Sequence, residues 1–100
     1  MFENNKYITN RIQNSVPEHL IMMMWNLIDM VPADQRDYLQ IFELEVIGNG
    51  DVKTQVIKHW QEEPEYHSPL VYIPYGEYFT GKIYAIDDGS NSVMCFPCER

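Results

Sequence analysis

Two runs of alternating apolar and polar side chains, Tyr38 to Ile47 and Val52 to Trp60, are separated by Gly48-Asn49-Gly50-Asp51. Alternation at period two puts Phe42, Leu44 and Val46 on one face of a strand and Glu43 and Glu45 on the other, so one face is buried and one is wet. Gly and Asn tolerate the positive φ that a tight connection demands, and the two runs are expected to close as an antiparallel hairpin. A hairpin with one apolar face needs a second layer to cover it.

That layer is expected just upstream. Leu20, Met23, Met24, Leu27, Ile28 and Val31 recur at helical spacing, with Glu18, Asn26 and Asp29 left for water. Pro17 sits where the first helical position would be and Glu18 suits the positive helix end, while Pro32 stops the run, giving an amphipathic helix of about four turns. Met22 and Trp25 widen its apolar side beyond an ordinary stripe. Met repacks readily, so the Met22 to Trp25 segment serves either as core or as an adaptable contact surface.

Downstream, Pro64, Pro69, Pro74 and Gly76 interrupt the chain and leave Leu70 to Ile73 as a short edge strand. Phe79 to Ile86 and Ser92 to Phe96 then flank a turn at Asp87-Asp88-Gly89-Ser90-Asn91. A leading strand is expected around Tyr7 to Ile12. The expected fold is α+β, one amphipathic helix packed on an antiparallel sheet of about five or six strands. Residues 1–100 contain no internal repeat and no linker long enough to separate two units, so a single domain is expected.

Charge narrows the function. Fifteen Asp and Glu against seven Lys and Arg give a net charge of −8, which argues against direct nucleic-acid binding through phosphate neutralisation and against an anionic membrane surface. The longest apolar run, Leu20 to Trp25, is far shorter than a bilayer span. The opening Met1-Phe2-Glu3-Asn4-Asn5-Lys6 lacks the basic-then-apolar order of a secretory signal, so a cytoplasmic location is expected. Residues 1–36 carry Lys6, Arg11 and Arg36 against Glu3, Glu18, Asp29 and Asp34, a net of −1, leaving −7 on residues 37–100. The sheet half is therefore the expected docking side for a basic partner, with Glu43, Glu45, Glu62, Glu63, Glu65, Asp87 and Asp88 as contact carboxylates and Tyr66, Tyr75 and Tyr78 as rigid aromatic anchors.

Chemistry-bearing motifs are few. Cys95-Phe96-Pro97-Cys98 has C-x-x-C spacing, but only Glu99 and Arg100 follow it, so there is no helix to lower a thiol pKa as in thioredoxin-like sites. A zinc site would have to recruit His59 and His67 to Cys95 and Cys98, at spacings that match no compact zinc module. Glu62-Glu63-Pro64-Glu65 between the two histidines reads more simply as a solvated acidic loop than as a general acid and base. Asp87-Asp88-Gly89 starts like a calcium loop, but the twelfth position is Cys98 where a bidentate Glu belongs. No phosphate-binding, nucleophile-elbow or H-E-x-x-H motif occurs. A non-enzymatic protein without cofactor is expected. A small zinc-binding domain or enzyme using Cys95, Cys98, His59 and His67 stands as one alternative, and a homo-oligomeric housekeeping domain associating through Met22 to Trp25 as another.

The pattern Tyr7-Ile8-Thr9, Pro17, Trp25, Asp37-Tyr38-Leu39-Gln40, Phe42-Glu43-Leu44, Ile57, His59, Gln61-Glu62, Pro64, Tyr66 and Ile86-Asp87-Asp88-Gly89 resembles a small family of Gram-positive bacteria and their mobile elements, domain of unknown function nine-sixty. The likeness spans nearly the whole chain, and its most specific pieces are Asp-Tyr-Leu-Gln and Ile-Asp-Asp-Gly. Small acidic proteins of plasmids and phages are also similar in class and size to anti-CRISPR proteins. What that second likeness implies is an inhibitor that engages Cas9 and interferes with guide RNA or target DNA binding, because Cas9 holds both in positively charged channels.

Overall fold

The computed structural model describes residues 1–100 apart from the side chain of Asn49. The elements run β1 (Asn5–Ile8), α1 (Asn10–Ser15), α2 (Glu18–Asp29), β2 (Leu39–Asn49), β3 (Val52–Glu62), β4 (Glu65–His67), β5 (Val71–Ile73), β6 (Gly81–Asp87) and β7 (Asn91–Cys95), with short 3₁₀ turns at Ala33–Gln35 and Pro97–Glu99. The strands form one sheet in the order β1-β7-β6-β2-β3-β4, with β5 also pairing β3. The fold is mixed α+β, as expected, but with seven strands and two short helices.

The long hairpin forms as the alternation predicts. β2 and β3 pair antiparallel from Ile41↔Trp60 to Asn49↔Val52, leaving Gly50 and Asp51 as a two-residue turn. Gly50 has φ +61°, the positive value that primed hairpin turns require at their first residue. β6 lies antiparallel on the other side of β2, from Leu39↔Ile86 to Leu44↔Gly81, and β7 follows β6.

Four expectations need correction. The leading strand is shorter and displaced: β1 ends at Ile8, and Thr9 Oγ1 then accepts from Ile12 N at 3.3 Å, an N-cap that turns the next six residues into α1. β1 pairs parallel with β7, Asn5↔Asn91 to Ile8↔Met94, so the sheet is not wholly antiparallel. The acidic loop is partly strand, because the chain reverses at Glu63-Pro64 and β4 returns along β3, Glu62↔Glu65 to Trp60↔His67. α2 is also a turn shorter than expected, with Pro17 as its N-cap residue and Glu18 its first helical one.

Both helices cover one face of the sheet. Phe42 and Leu44 from β2, Ile57 from β3, Ile83 and Ala85 from β6 and Met94 from β7 are all buried, and they pack with Phe2, Ile12, Val16, Leu20, Met24, Leu27 and Ile28. Fully burying each large apolar side chain contributes roughly 1.5–3 kcal/mol. The Met22 to Trp25 segment divides: Met24 is core, Met23 and Trp25 are half-buried, and Met22 is exposed.

Among the described residues neither α-helix lies on the opposite sheet face, yet it is not simply wet: the Pro97–Glu99 turn brings Glu99 and Arg100 beside Ile86, Val93 and Cys95. Ile41 is only 7% exposed there, flanked across the ladder by Trp60 and Tyr84. Lys82 lies over the Trp60 ring at 5.9 Å, and Arg100 over the Tyr84 and Tyr38 rings at 5.9 and 6.0 Å. Aliphatic stems and cation–π contacts thus replace a second helical layer. Among the described residues, no helix is long and apolar enough to cross a membrane.

The loop joining β5 to β6 closes over α2 at Gly76. Its φ is +84°, and a Cβ built there would lie 2.8 Å from His19 Nε2, while the preceding Tyr75 ring stacks on His19 at 6.3 Å. Gly76→Ala is expected to destabilise the fold by about 1–3 kcal/mol through left-handed strain and loss of this contact. Urea denaturation checks this, and an unchanged midpoint would refute it.

Candidate functional site

Strand direction decides where the acids go. β2 and β7 begin, and β3 and β6 end, at one end of the sheet, because Leu39 opposes Ile86, Ile41 opposes Trp60 and Asp87 opposes Ser92. β1 and β4 begin there too, through Asn5↔Asn91 and Glu62↔Glu65. The connections at this end carry Glu3, Asp34, Asp37, Glu62, Glu63, Glu65, Asp87 and Asp88, over half of the fifteen acids in the chain. The six strand positions from β1 to β4 make this a row about 24 Å wide at ordinary strand spacing.

The row is held rigid by its own hydrogen bonds. Asp37 accepts from Tyr38 N at 2.8 Å and Glu63 N at 3.0 Å, tying the lead-in to β2 onto the β3–β4 turn. Gln61 Nε2 donates to the carbonyls of Gln35 and Pro64 at 2.7 and 2.8 Å. Arg36 is spent on main chain: it donates to the carbonyls of Val31, Met1 and Asp29 at 2.9 to 3.1 Å and so folds the segment after α2 into place. Asp88 accepts from Ser90 N and Asn91 N at 2.8 Å each, and these main-chain donors hold its carboxyl below the usual carboxylate range. Glu62, Glu63, Glu65, Asp34 and Asp88 are exposed.

Asp87 is a different case and corrects its assignment as a contact carboxylate. It is buried, accepting from Phe2 N at 2.7 Å, Asn4 Nδ2 at 3.1 Å and Gly89 N at 2.8 Å. Burial pushes its pKa up, but the donors from Phe2, Gly89 and Asn4 outweigh that and leave it lowered. Its work is structural: it fixes Phe2, which is buried in the core with φ +63°, a left-handed conformation that a bulky residue keeps only when the surroundings impose it.

The remaining assigned residues scatter. Glu43 and Glu45 lie midway along β2 on the helix-free face, paired with Lys58 at 3.9 and 3.2 Å, so their charge is largely answered within the sheet. Tyr66 of β4 is half-buried opposite Gln61, close to the acidic row. Tyr75 and Tyr78 belong to the opposite end, because β5 pairs Ile73 with Gln55, seven positions and about 23 Å from Glu62. Tyr78 donates to the Lys53 carbonyl at 3.1 Å. Tyr75 and Tyr78 therefore do not share a surface with the acidic row. Asp34, Asp37 and Glu3 join the row without having been singled out in the sequence; their positions just ahead of strand starts were the available signal.

The alternative metal ligands are not brought together. His59 on β3 and Cys95 on β7 are separated by β2 and β6, about 14 Å at ordinary strand spacing. Cys98 is exposed beside Arg11 Nη1 at 3.6 Å, and His67 pairs with Glu65 at 3.5 Å. Among the described residues, no three His, Cys, Asp or Glu side chains are grouped to hold a metal ion. His59 instead anchors a buried polar relay. Its Nε2 faces Gln40 Oε1 and its Nδ1 faces Ser68 Oγ, each at 2.6 Å, and Gln40 Nε2 donates to Gln61 Oε1 at 2.7 Å and the Asp37 carbonyl at 2.9 Å. Gln40 Oε1 only accepts, so Nε2 carries the proton and Ser68 donates to Nδ1. Burial pushes the His59 pKa down to about 4. The relay connects the core face of the sheet to the lead-in of β2 and the β3–β4 turn, so it supports the acidic row from beneath.

The sequence profile described as "Staphylococcal protein of unknown function (DUF960)" matches residues 5–99. The chain belongs to the DUF960 family. A solved structure similar to this DUF960 chain is described as the crystal structure of the protein of unknown function from Enterococcus faecalis, at 24% identity and a TM-score of 0.72, covering 98% of this chain and 92% of the other. That likeness shows the fold alone. No curated protein matches the chain. The DUF960 match confirms the family resemblance seen in the sequence and assigns no role to any residue of the row.

Proposed function

We propose that this DUF960 protein is a non-enzymatic acidic binding protein whose strand-end row docks on a basic surface of a nucleic-acid-handling protein, with Cas9 as the specific candidate and interference with guide RNA or target DNA binding as the outcome. The observation that carries the reading is the convergence of eight carboxylates on one end of a single sheet, six of them exposed and three, Asp37, Asp87 and Asp88, tied to main chain. Rigidity matters because connecting segments already tied down by hydrogen bonds lose little main-chain freedom on binding. A row of fixed negative charge competes with phosphates for the same lysines and arginines, and gains mostly in association rate and selectivity.

The test is capture of Cas9 by the immobilised protein, with and without guide RNA, at low and high salt. Capture that falls with salt and with bound guide RNA supports the reading. No capture under any condition, or capture indifferent to both, contradicts it.

A further inference from the structure

The acidic row leaves the other long edge of the molecule unused. β1 is the terminal strand of the sheet, and its outer side has no strand partner among the described residues. Thr9 N donates to Met94 O at 3.1 Å, which fixes the alternation: in a parallel ladder Tyr7 and Asn5 also turn their main-chain groups to β7, and Lys6 and Ile8 turn theirs outward. Beside this edge runs a groove of about 500 Å³ between β1 and the helices, of mixed polar and apolar lining. Lys6 Nζ lies over the Trp25 ring at 6.0 Å at one end. Glu18 opens α2 and lies seven residues, about 10 Å along the helix, from Trp25, so among the residues that line the groove it stands at the end away from Lys6, as Ile8 does on β1. Met22, 59% exposed, stands between them.

We propose that this edge is a homodimer interface, in which β1 pairs antiparallel with β1 of a second copy about a two-fold axis through Tyr7. Three features fix this occupant and this register. Centring on Tyr7 places Lys6 opposite Ile8 of the second copy, so the outward-turned residues exchange main-chain hydrogen bonds as a close antiparallel pair does. The same register carries Lys6 of each copy to the Ile8 end of its neighbour's groove, where Glu18 stands, and carries Ile8 to the Trp25 end. The charges are therefore complementary twice over, once on each side of the axis. The two-fold also points the acidic ends in opposite directions, which keeps their mutual repulsion small.

Sedimentation equilibrium of the full chain, at physiological salt and from micromolar to millimolar concentration, tests the proposal. A monomer–dimer equilibrium is expected. Lys6→Glu and Glu18→Lys should each weaken the dimer by about tenfold or more, and the double swap should restore it to within about threefold of the starting protein. Circular dichroism of each variant establishes that the fold is retained. A chain that stays monomeric throughout overturns the proposal, including one that binds an extended apolar peptide in the groove instead. A dimer unaffected by either single reversal, or not restored by the double swap, overturns it as well.

Discussion

Gln40→Ala is expected to lower the unfolding free energy by about 3 kcal/mol, a large effect for removing an uncharged side chain. Gln40 is fully buried and has three partners: its Oε1 faces His59 Nε2, and its Nε2 donates to Gln61 and to the Asp37 carbonyl. Truncation leaves the His59 N–H without an acceptor, and the alanine also opens a void where no well-placed group replaces the amide. A buried donor without a partner costs about 1–3 kcal/mol, and the lost packing adds to that. Gln35 provides the control. Its main chain accepts from Gln61, but its side chain is exposed, so Gln35→Ala should stay within about 0.5 kcal/mol. Chemical denaturation of both variants measures the contrast. Equal, small losses would show that the relay does not hold the row's foundation.

Acidification is expected to remove a further share of stability through His59. The group has a pKa of about 4 in the folded protein against an ordinary 6.5, because it is buried against the Phe42 ring at 4.6 Å and its partners Gln40 and Ser68 are neutral. The unfolded chain therefore binds the proton more readily than the folded one. Stability from this group is complete above pH 6.5, declines as pH falls through the interval to 4, and is lost below it. The full change is about 3 kcal/mol. Asp87 and Asp88 act in a lower window: their carboxyls are held below the ordinary 3.8, so what they contribute is lost only as pH falls under that value. Denaturation midpoints at pH 7 and pH 4.5 should therefore differ strongly in the natural sequence and little in His59→Gln, whatever that variant's absolute stability. Parallel pH profiles for the two proteins would contradict the assignment.

Local pattern made part of this structure legible. The β2–β3 hairpin follows from period-two alternation around glycines that accept positive φ, and α2 from apolar spacing between two prolines. Even the neutralisation of Glu43 was within reach, since the hairpin register sets it directly opposite Lys58. What escaped is non-local. Parallel pairing of β1 with β7 joins residues 5–8 to residues 91–94, and nothing near either segment announces the other. Asp87 and Asp88 look alike in sequence, yet one is buried under the amino-terminal segment and the other is exposed, a difference made by Phe2 N–H and Asn4. Tyr75 and Tyr78 were placed with the acids by proximity in sequence, whereas β5 directs them to the opposite end of the sheet. The acidic row is itself a product of topology: its members come from four separate segments of the chain, and only strand direction assembles them.

The claim that the acidic row is the partner surface is tested most directly by two charge-matched variants. Glu62→Lys with Glu65→Lys reverses two exposed positions within the row, and Asp51→Lys with Glu77→Lys reverses two exposed positions away from it, so the net charge changes equally in both. Affinity for Cas9 is measured for each across a salt series. The expected result is a loss of binding and a shallower salt dependence for the first variant, with the second close to the natural sequence. Equal losses in both would show that net charge, not the row, drives binding, and unchanged affinity in the first would remove the row as the docking surface.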